Sequence, residues 1–452
     1  MDSRLTARRS LLALAAASLG LAACREQHTP TLATPVDTPS MGAAAGVTAA
    51  TVSYTRGGRQ MVYVNNPEKL LSGDLAHNVP SGQTQGPSLL TVNLGTGEYR
   101  DYFEHLNATG DSVAFGVYIY NPTSKKVVVT RRRKGFAAGD YQIGARPFQQ
   151  LNSASETTPL TLDPAANVRG GWIFRSDVSY GAAGQAAGNQ FLTGVFDFDI
   201  NVEGGVATDQ VIVHHLVYRR RLFTSLPGTY KYIGYITRDR YNADGSVGDP
   251  EHRTYKGVSP HSTVTANLAY TFDTGTTAGA LPVTYSRYGV VNSATGEFGP
   301  VSTVRDTLWY THDIPARDKT NSFVTASDML SFTLPGWPPV VNPLTKSSYN
   351  SLYPNLGNWG ATYSHTVTVT NNSGRSRNVV FRVGIHNSTE SDNSFVAYQG
   401  YNSGWTTGVV RDGASITTDT VAFPTGTTSR TVSLVMGAPA DGRLFHKLVL
   451  ID

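Results

Sequence analysis

Asp197 and Asp199, in the run Val195-Phe196-Asp197-Phe198-Asp199-Ile200, are two carboxylates spaced so that they could share acid/base work or hold a cation. Alternate side chains of an extended strand leave on one face, so both aspartates project to one side and Phe196, Phe198 and Ile200 to the other. A solvated strand face explains the same spacing. His214 and His215 are neighbours, which sends them to opposite faces and keeps them from sharing a metal; one core and one surface histidine is the expectation. Two basic runs, Arg131-Arg132-Arg133-Lys134 and Arg219-Arg220-Arg221, follow apolar strand segments. Alternation groups Arg131 with Arg133 and Arg219 with Arg221, with the middle arginine turned away. Such guanidinium pairs suit acidic glycans, lipid headgroups or a partner's carboxylates, and the same charges also block edge-to-edge strand pairing. Of the tryptophans at 172, 309, 337, 359 and 405, Trp337 in Pro-Gly-Trp-Pro-Pro and Trp359 in Gly-Asn-Trp-Gly fall in loops, where binding residues concentrate. They are candidates for sugar stacking or a partner interface. The loop from Arg240 to Glu251 matches positions 3, 5, 6 and 12 of an EF-hand calcium loop, but its first position is the cation Arg240, so an Asp-Gly turn is the better reading.

The absences narrow the chemistry. There is no GxSxG, SxxK, HExxH, phosphate loop or GxGxxG at a strand-to-helix turn. The 11 histidines lack ligand spacing, and one cysteine excludes a disulfide framework, a cysteine zinc site and a CxxC pair. No cofactor and no metal are expected. A glycosidase remains open, because it needs only two carboxylates that the fold brings together. Lys plus Arg is 37 against 33 for Asp plus Glu, a formal charge of +4 that gives no case for nucleic acid.

The elements that must position these residues begin after an export signal. Arg4, Arg8 and Arg9 precede an apolar run from Leu11 to Ala23, too short for a membrane span at about 20 residues per crossing. Leu21-Ala22-Ala23-Cys24 resembles the bacterial lipobox, which implies a signal peptide over 1–23 and lipidation of Cys24, with acyl chains such as palmitate as the membrane anchor. Arg8-Arg9 also resembles a relaxed twin-arginine signal, and the export route stays open. Arg25 follows the cysteine where an Asp would have resembled an inner-membrane retention signal, so an outer-membrane or cell-surface destination is permitted. Residues 24–52 are rich in Thr, Pro, Ala and Gly without period and read as a disordered tether.

Beyond the tether the pattern is period two. SVAFGVYIYNP, GVFDFDINV, QVIVHHLVY, YSHTVTVTNN and RNVVFRVGIHN alternate β-branched and aromatic residues with polar ones between turn clusters. Charged residues are 15% of the chain, while Gly (45), Tyr (23) and Pro (23) are plentiful, as in a turn-rich β protein. The expected fold class is all-β, with two β-sandwich (Ig-like) domains over 53–242 and 263–452, joined by a linker or long loop at 243–262. A transmembrane barrel also alternates, and the lipobox and tether argue against it. The strand-turn-strand Val117 to Val129 is echoed by Val367 to Phe381, either through duplication or because any hairpin looks so.

Asn66-Pro67-Glu68, the run Glu104-His105-Leu106-Asn107-Ala108-Thr109-Gly110 leading into the Asn121 hairpin, and Asn355-Leu356-Gly357-Asn358-Trp359-Gly360-Ala361-Thr362-Tyr363 leading into the second hairpin resemble an uncharacterised family. It comprises exported β-rich bacterial envelope proteins, best represented in Paenibacillus-type organisms, some carrying copper-amine-oxidase N-terminal-like modules. The similarity runs from Tyr63 to Asn387. It implies an extracytoplasmic β-rich protein and no particular activity, and no such module is visible in this chain. The sequence thus points to a secreted, membrane-anchored protein of the cell envelope that binds or builds, with a surface-layer or other envelope protein, or a glycan, as partner. The alternative is a glycan-binding module or a polysaccharide-acting enzyme at the cell surface.

Overall fold

The computed structural model of the chain describes residues 42–64, 69–71, 89–140, 143–153, 156, 158–218, 256–259, 261–291, 298–305, 308–311, 360–386, 393–411, 414–436 and 443–451. All of them belong to one compact unit, Pro39–Asp452. The strands that matter below are, in order, β1 (Ser53–Gly57), β2 (Gln60–Val64), β3 (Leu90–Leu94), β4 (Gly97–Ala108), β5 (Val113–Tyr120) and β6 (Val127–Gly139). A short helix α1 (Arg146–Gln150) precedes β7 (Leu160–Leu162), β8 (Gly170–Arg175), β9 (Gln190–Val202) and β10 (Val211–Tyr218). The remainder are β11 (Lys256–Ser259), β12 (Thr263–Phe272), β13 (Gly279–Ala280), β14 (Thr362–Asn371), β15 (Arg377–His386), β16 (Asn393–Gln399), β17 (Trp405–Arg411), β18 (Ser415–Phe423), β19 (Gly426–Met436) and β20 (Arg443–Ile451). The fold class is all-β, as expected.

These strands form two facing pairs of sheets, and a separate three-stranded sheet joins Ala50–Thr51, Val283–Val291 and Phe298–Arg305. In the first body one sheet runs β11-β2-β4-β9-β6-β7 and the other β8-β5-β10-β3; in the second the sheets run β1-β12-β14-β19-β16-β17 and β18-β15-β20-β13. Set side by side, the two orders match strand for strand: β2 to β10 of the first body correspond, in chain order, to β12 to β20 of the second. Even the parallel pairs coincide, β2 with β4 and β12 with β14. The odd members are the outer strands. β1 lies just before the first body in sequence, yet it pairs antiparallel with β12 of the second. Conversely, β11 lies just before the second body and pairs antiparallel with β2 of the first. Each body therefore receives its edge strand from the other. Ser53–Gly57, expected in the first body, lies in the second body's sheet, and Lys256–Ser259, expected in the linker, lies in the first's.

The two crossings touch. Ser262 N donates to Gly57 O at 3.2 Å, and Gly58 has φ +77°, with room for no side chain: a Cβ there would come within 2.5 Å of Ser262 Oγ and 2.7 Å of Thr263 Oγ1. Only glycine meets both demands without strain.

The correspondence also shows at the β4–β5 and β14–β15 turns. Asn107 Nδ2 donates to Asp111 O at 2.7 Å, and Asn107 Oδ1 accepts from Thr109 N and Oγ1. Asn371 makes the same set with Arg375 O, Ser373 N and Ser373 Oγ. The glycines that follow, Gly110 and Gly374, have φ +81° and +78°. Asn121 closes a third such turn between β5 and β6, bonding Lys125 O and Thr123. Strand order thus matches Asn371 with Asn107, one hairpin earlier than the sequence echo pairs it.

Between the first body's sheets the core holds Phe103 stacked on Phe115, with Val117, Val129, Phe196, Phe198 and Val213, all buried. Large side chains of this kind contribute roughly 1.5–3 kcal/mol each on full burial. A second core is continuous across the join: Met61, Tyr63, Tyr102, Phe148 and Val195 of the first body pack in one cluster with Ala361, Tyr363 and Trp405 of the second. Phe148 on α1 meets the Trp405 ring at 5.7 Å, and Asn152 brackets the Trp405 backbone with bonds of 2.8 and 2.9 Å.

Because each body lacks an edge strand without the other, residues 42–255 and 256–452 produced separately are expected to lose cooperative unfolding while the intact chain keeps it. Urea titration followed by circular dichroism checks this; a monomeric half with a transition as sharp as the whole chain's would contradict it.

Candidate functional site

The sequence's paired carboxylates lie on the outer face of the first body's β4-β9-β6 sheet. Phe196, Phe198 and Ile200 turn into the core, as alternation requires, and Asp197 and Asp199 turn out. Both are held by arginine side chains. Asp197 accepts a fork of bonds from Arg100, Nε at 2.8 Å and Nη2 at 3.0 Å. Arg59 bridges the pair, with Nη1 2.5 Å from Asp199 and Nε 3.7 Å from Asp197, and Arg132 Nε donates to Asp199 at 2.7 Å. Burial would raise the Asp199 pKa, but Arg59 and Arg132 outweigh it and hold it below the ordinary value. For Arg100, burial would lower the pKa and Asp197 more than restores it, so the guanidinium stays charged. Asp197 and Asp199 each have two guanidiniums beside them, and Glu98 lies 3.9 Å from Arg59 at the rim, so the carboxylates form a closed lattice with the arginines. No group of three or more metal-ligating side chains occurs among the described residues.

The basic run on β6 completes this lattice. Opposite β9 the register slips between Phe196 and Phe198, which pair with Lys134 and Arg131, so two residues of β6 face one of β9. This bulge breaks the simple alternation expected of the run. Arg132 is aimed at Asp199; Arg131 Nε lies 3.1 Å from Glu156, and Lys134 pairs with the same carboxylate. Arg133 is exposed. Arg219, Arg221, Trp337, Trp359, Cys24 and the Arg240–Glu251 loop lie outside the described residues. Trp309 falls within the strand Leu308–Thr311, and Trp405 is core.

Both histidines of the adjacent pair are fully buried, which corrects the expected surface position. His215 faces the sheet interior and pairs across it with Asp101, its Nδ1 lying 3.3 Å from Leu90 O. Burial raises the Asp101 pKa, partly offset by His215. His214 faces the other way and its pKa falls to about 4, through burial and then the neighbouring His215. In the second body His365 and His446 stack at 4.0 Å between the sheets. His365 holds the strand position of Asp101, each six residues before its turn asparagine. Burial drives the His446 pKa to about 3 and, with His446 beside it, pushes His365 well below the ordinary value. Asp and His in contact suit general-base work, but this pair is sealed in a core.

An aromatic cluster covers the outer face of the β8-β5-β10 sheet. Tyr118 meets Trp172 edge-on at 5.4 Å and 83°, and Tyr218 lies 6.0 Å from Trp172. Arg175 stacks at 5.4 Å from Trp172 and 5.8 Å from Tyr218, held by Asp177, to which Tyr218 also donates at 2.5 Å. Gly116 and Gly170 make the space, since a Cβ there would come within 2.7 Å of Trp172 and 2.0 Å of Tyr118. Sequence reasoning missed Trp172 by seeking binding tryptophans in loops. The available signal was the Gly170-Gly171 pair before it and the outward alternation of Tyr118 and Tyr120.

No family model matches the chain, and no curated protein matches it. Among solved structures, a Paenibacillus xanthan lyase is similar over 94% of this chain at 9% identity and TM-score 0.16, the chain spanning 28% of that enzyme's length. The tandem CBM22-1-CBM22-2 domain of Paenibacillus barcinonensis Xyn10C is similar over 84% of this chain and 97% of its own at 7% identity and TM-score 0.12.

Two expectations follow. Asp197→Asn leaves Arg100, whose side chain is 14% exposed, without its counter-charge and should destabilise by about 2–3 kcal/mol, whereas Asp199→Asn, at 19% exposure and nearer solvent, should stay below about 1 kcal/mol. Urea midpoints of the two variants decide; equal effects would refute the lattice as drawn. His446 and His214 have folded pKa values depressed to about 3 and about 4, so the folded state refuses protons that the unfolded chain accepts near 6.5. Their stabilising contribution is complete above about 6.5 and is lost as pH falls from there toward 4 and then 3. His446→Phe should flatten the fall in urea midpoint between pH 7 and pH 4, and an unchanged slope would contradict it.

Proposed function

We propose that this chain is an extracytoplasmic, lipid-anchored binding or structural protein of the cell envelope, held by an acylated Cys24 and serving as a subunit of an envelope or surface-layer assembly. The observation that carries the non-catalytic part is the closed lattice of Arg59, Arg100 and Arg132 around Asp197 and Asp199. The carboxylates that sequence offers for hydrolysis are committed to ion pairs, and the buried Asp101–His215 contact is sealed from substrate. The exported, family-like character of the sequence supports the location. A glycan-binding role is the second reading, favoured by Trp172, the partly exposed ring of a cluster whose Tyr118 and Tyr218 are buried beneath it, because sugar rings stack on an aromatic face.

Purification from the native envelope in mild detergent should recover a partner protein at fixed stoichiometry, and the intact mass should carry acyl chains at residue 24. Recovery of the protein alone would count against the subunit reading, and an unmodified Cys24 against the anchor.

A further inference from the structure

On the outer face of the second body, the facing positions of β14 and β19 beyond the join are short hydroxyl side chains. Counting from the paired turns, Arg100, Tyr102 and Glu104 of β4 correspond to Ser364, Thr366 and Thr368 of β14. Where the first body uses the outer face for ion pairs and for the join, the second carries a ladder of cross-strand hydroxyl bonds between β14 and β19. Thr366 pairs with Thr431 at 2.9 Å, Thr368 with Ser429 at 2.7 Å and Thr370 with Thr427 at 3.1 Å. The ladder starts at the join, where Ser364 meets Ser433 at 2.8 Å and Arg100 donates to Thr362 Oγ1 at 3.3 Å, and it runs outward until Thr427, Ser429 and Thr431 are exposed. The neighbouring strand β12 continues the surface with Thr265, Asn267 and Thr271.

We infer that this face docks an extended, uncharged polysaccharide, an inference that rests on the envelope-binding reading and supplies its ligand class. Three properties commit the face to that occupant. None of the side chains named on β12, β14 and β19 in this face carries a charge, so a neutral polymer covers it without desolvating an ion, whereas an acidic glycan, a phosphopolymer or a nucleic acid finds no counter-charge. Each bonded pair spends one of its two O–H protons and keeps one donor together with free lone pairs, the same mixed capacity that a sugar hydroxyl offers. The pairs repeat every second residue, about 6.7 Å along the strands, on side chains that are short and, for threonine, stiff at χ1, so little rotamer entropy is lost when a regular polymer settles there. The threonine methyls between the hydroxyls supply contact for the C–H faces of the rings.

The test uses the full chain and cosedimentation with microcrystalline cellulose, chitin and insoluble xylan, with soluble carboxymethyl cellulose as the charged counterpart. The wild type should bind at least one neutral polymer and ignore the charged one. A Thr366→Val/Thr368→Val/Thr431→Val variant, which keeps shape and strand preference, should lose at least tenfold in affinity, and Ser429→Lys should do the same by placing a charge on the face. Circular dichroism and urea midpoints confirm that both variants are folded. No binding by the wild type to any of the neutral polymers, binding to the carboxymethyl polymer alone, or undiminished binding by the folded valine variant each overturns the inference. The envelope reading stands or falls separately on the acyl mass at Cys24 and the copurifying partner.

Discussion

The structure depends on a mutual loan of edge strands. β1 leaves the neighbourhood of its own body to complete the second, β11 does the reverse, and the chain makes both crossings at one place, where Gly57 and Gly58 lie against Ser262 and Thr263. An uncovered sheet edge presents unpaired backbone donors and acceptors, which invites foreign strands. Here β12 and β2 are each covered by an outer strand that comes from beside the other body. The hydrogen bonds involved are ordinary; the coupling comes from their placement, and the shared core of Tyr63, Tyr102, Phe148, Tyr363 and Trp405 grows on the geometry they impose.

Within that frame two bodies with one strand order differ where it matters chemically. Between their sheets, the first holds an Asp–His contact and the second a neutral histidine stack at nearby positions. On their outer faces, the first carries a lattice of guanidinium and carboxylate groups and the second a ladder of hydroxyls. Contacts to an ionic face are screened by salt, whereas contacts to an uncharged hydroxyl face are not. One strand order, used in both bodies, thereby offers two surfaces of different character.

Much of this was legible in the sequence, and the limits have physical causes. Period two placed Asp197 and Asp199 opposite Phe196 and Phe198, because strand alternation is a local property. It could not place Arg132, since the bulge opposite Phe196–Phe198 depends on the register of a partner strand. The echo around Asn371 was visible, but Asn-x-Thr/Ser turns occur three times among the described residues, and only strand order pairs Asn371 with Asn107 rather than Asn121. Burial of both His214 and His215 required knowing that the outer face of β10 is covered by aromatic side chains. The strand loan was invisible, because Lys256–Ser259 read as part of a linker, Ser53–Gly57 as the start of the first body, and the partners of both lie about 200 residues away in sequence.

The placement of β1 has a mechanical consequence. The chain ahead of it is fastened to the second body at several points: Ala43 bridges to Ala280, Ala50–Thr51 run parallel to Val283–Thr284, and Ser53–Gly57 lie along β12. Tension applied upstream of residue 42 is therefore delivered first to the body that is more distant in sequence. It loads a series of backbone bonds there before it reaches the crossing at Gly58, so the body that follows next in the sequence is shielded from the pull.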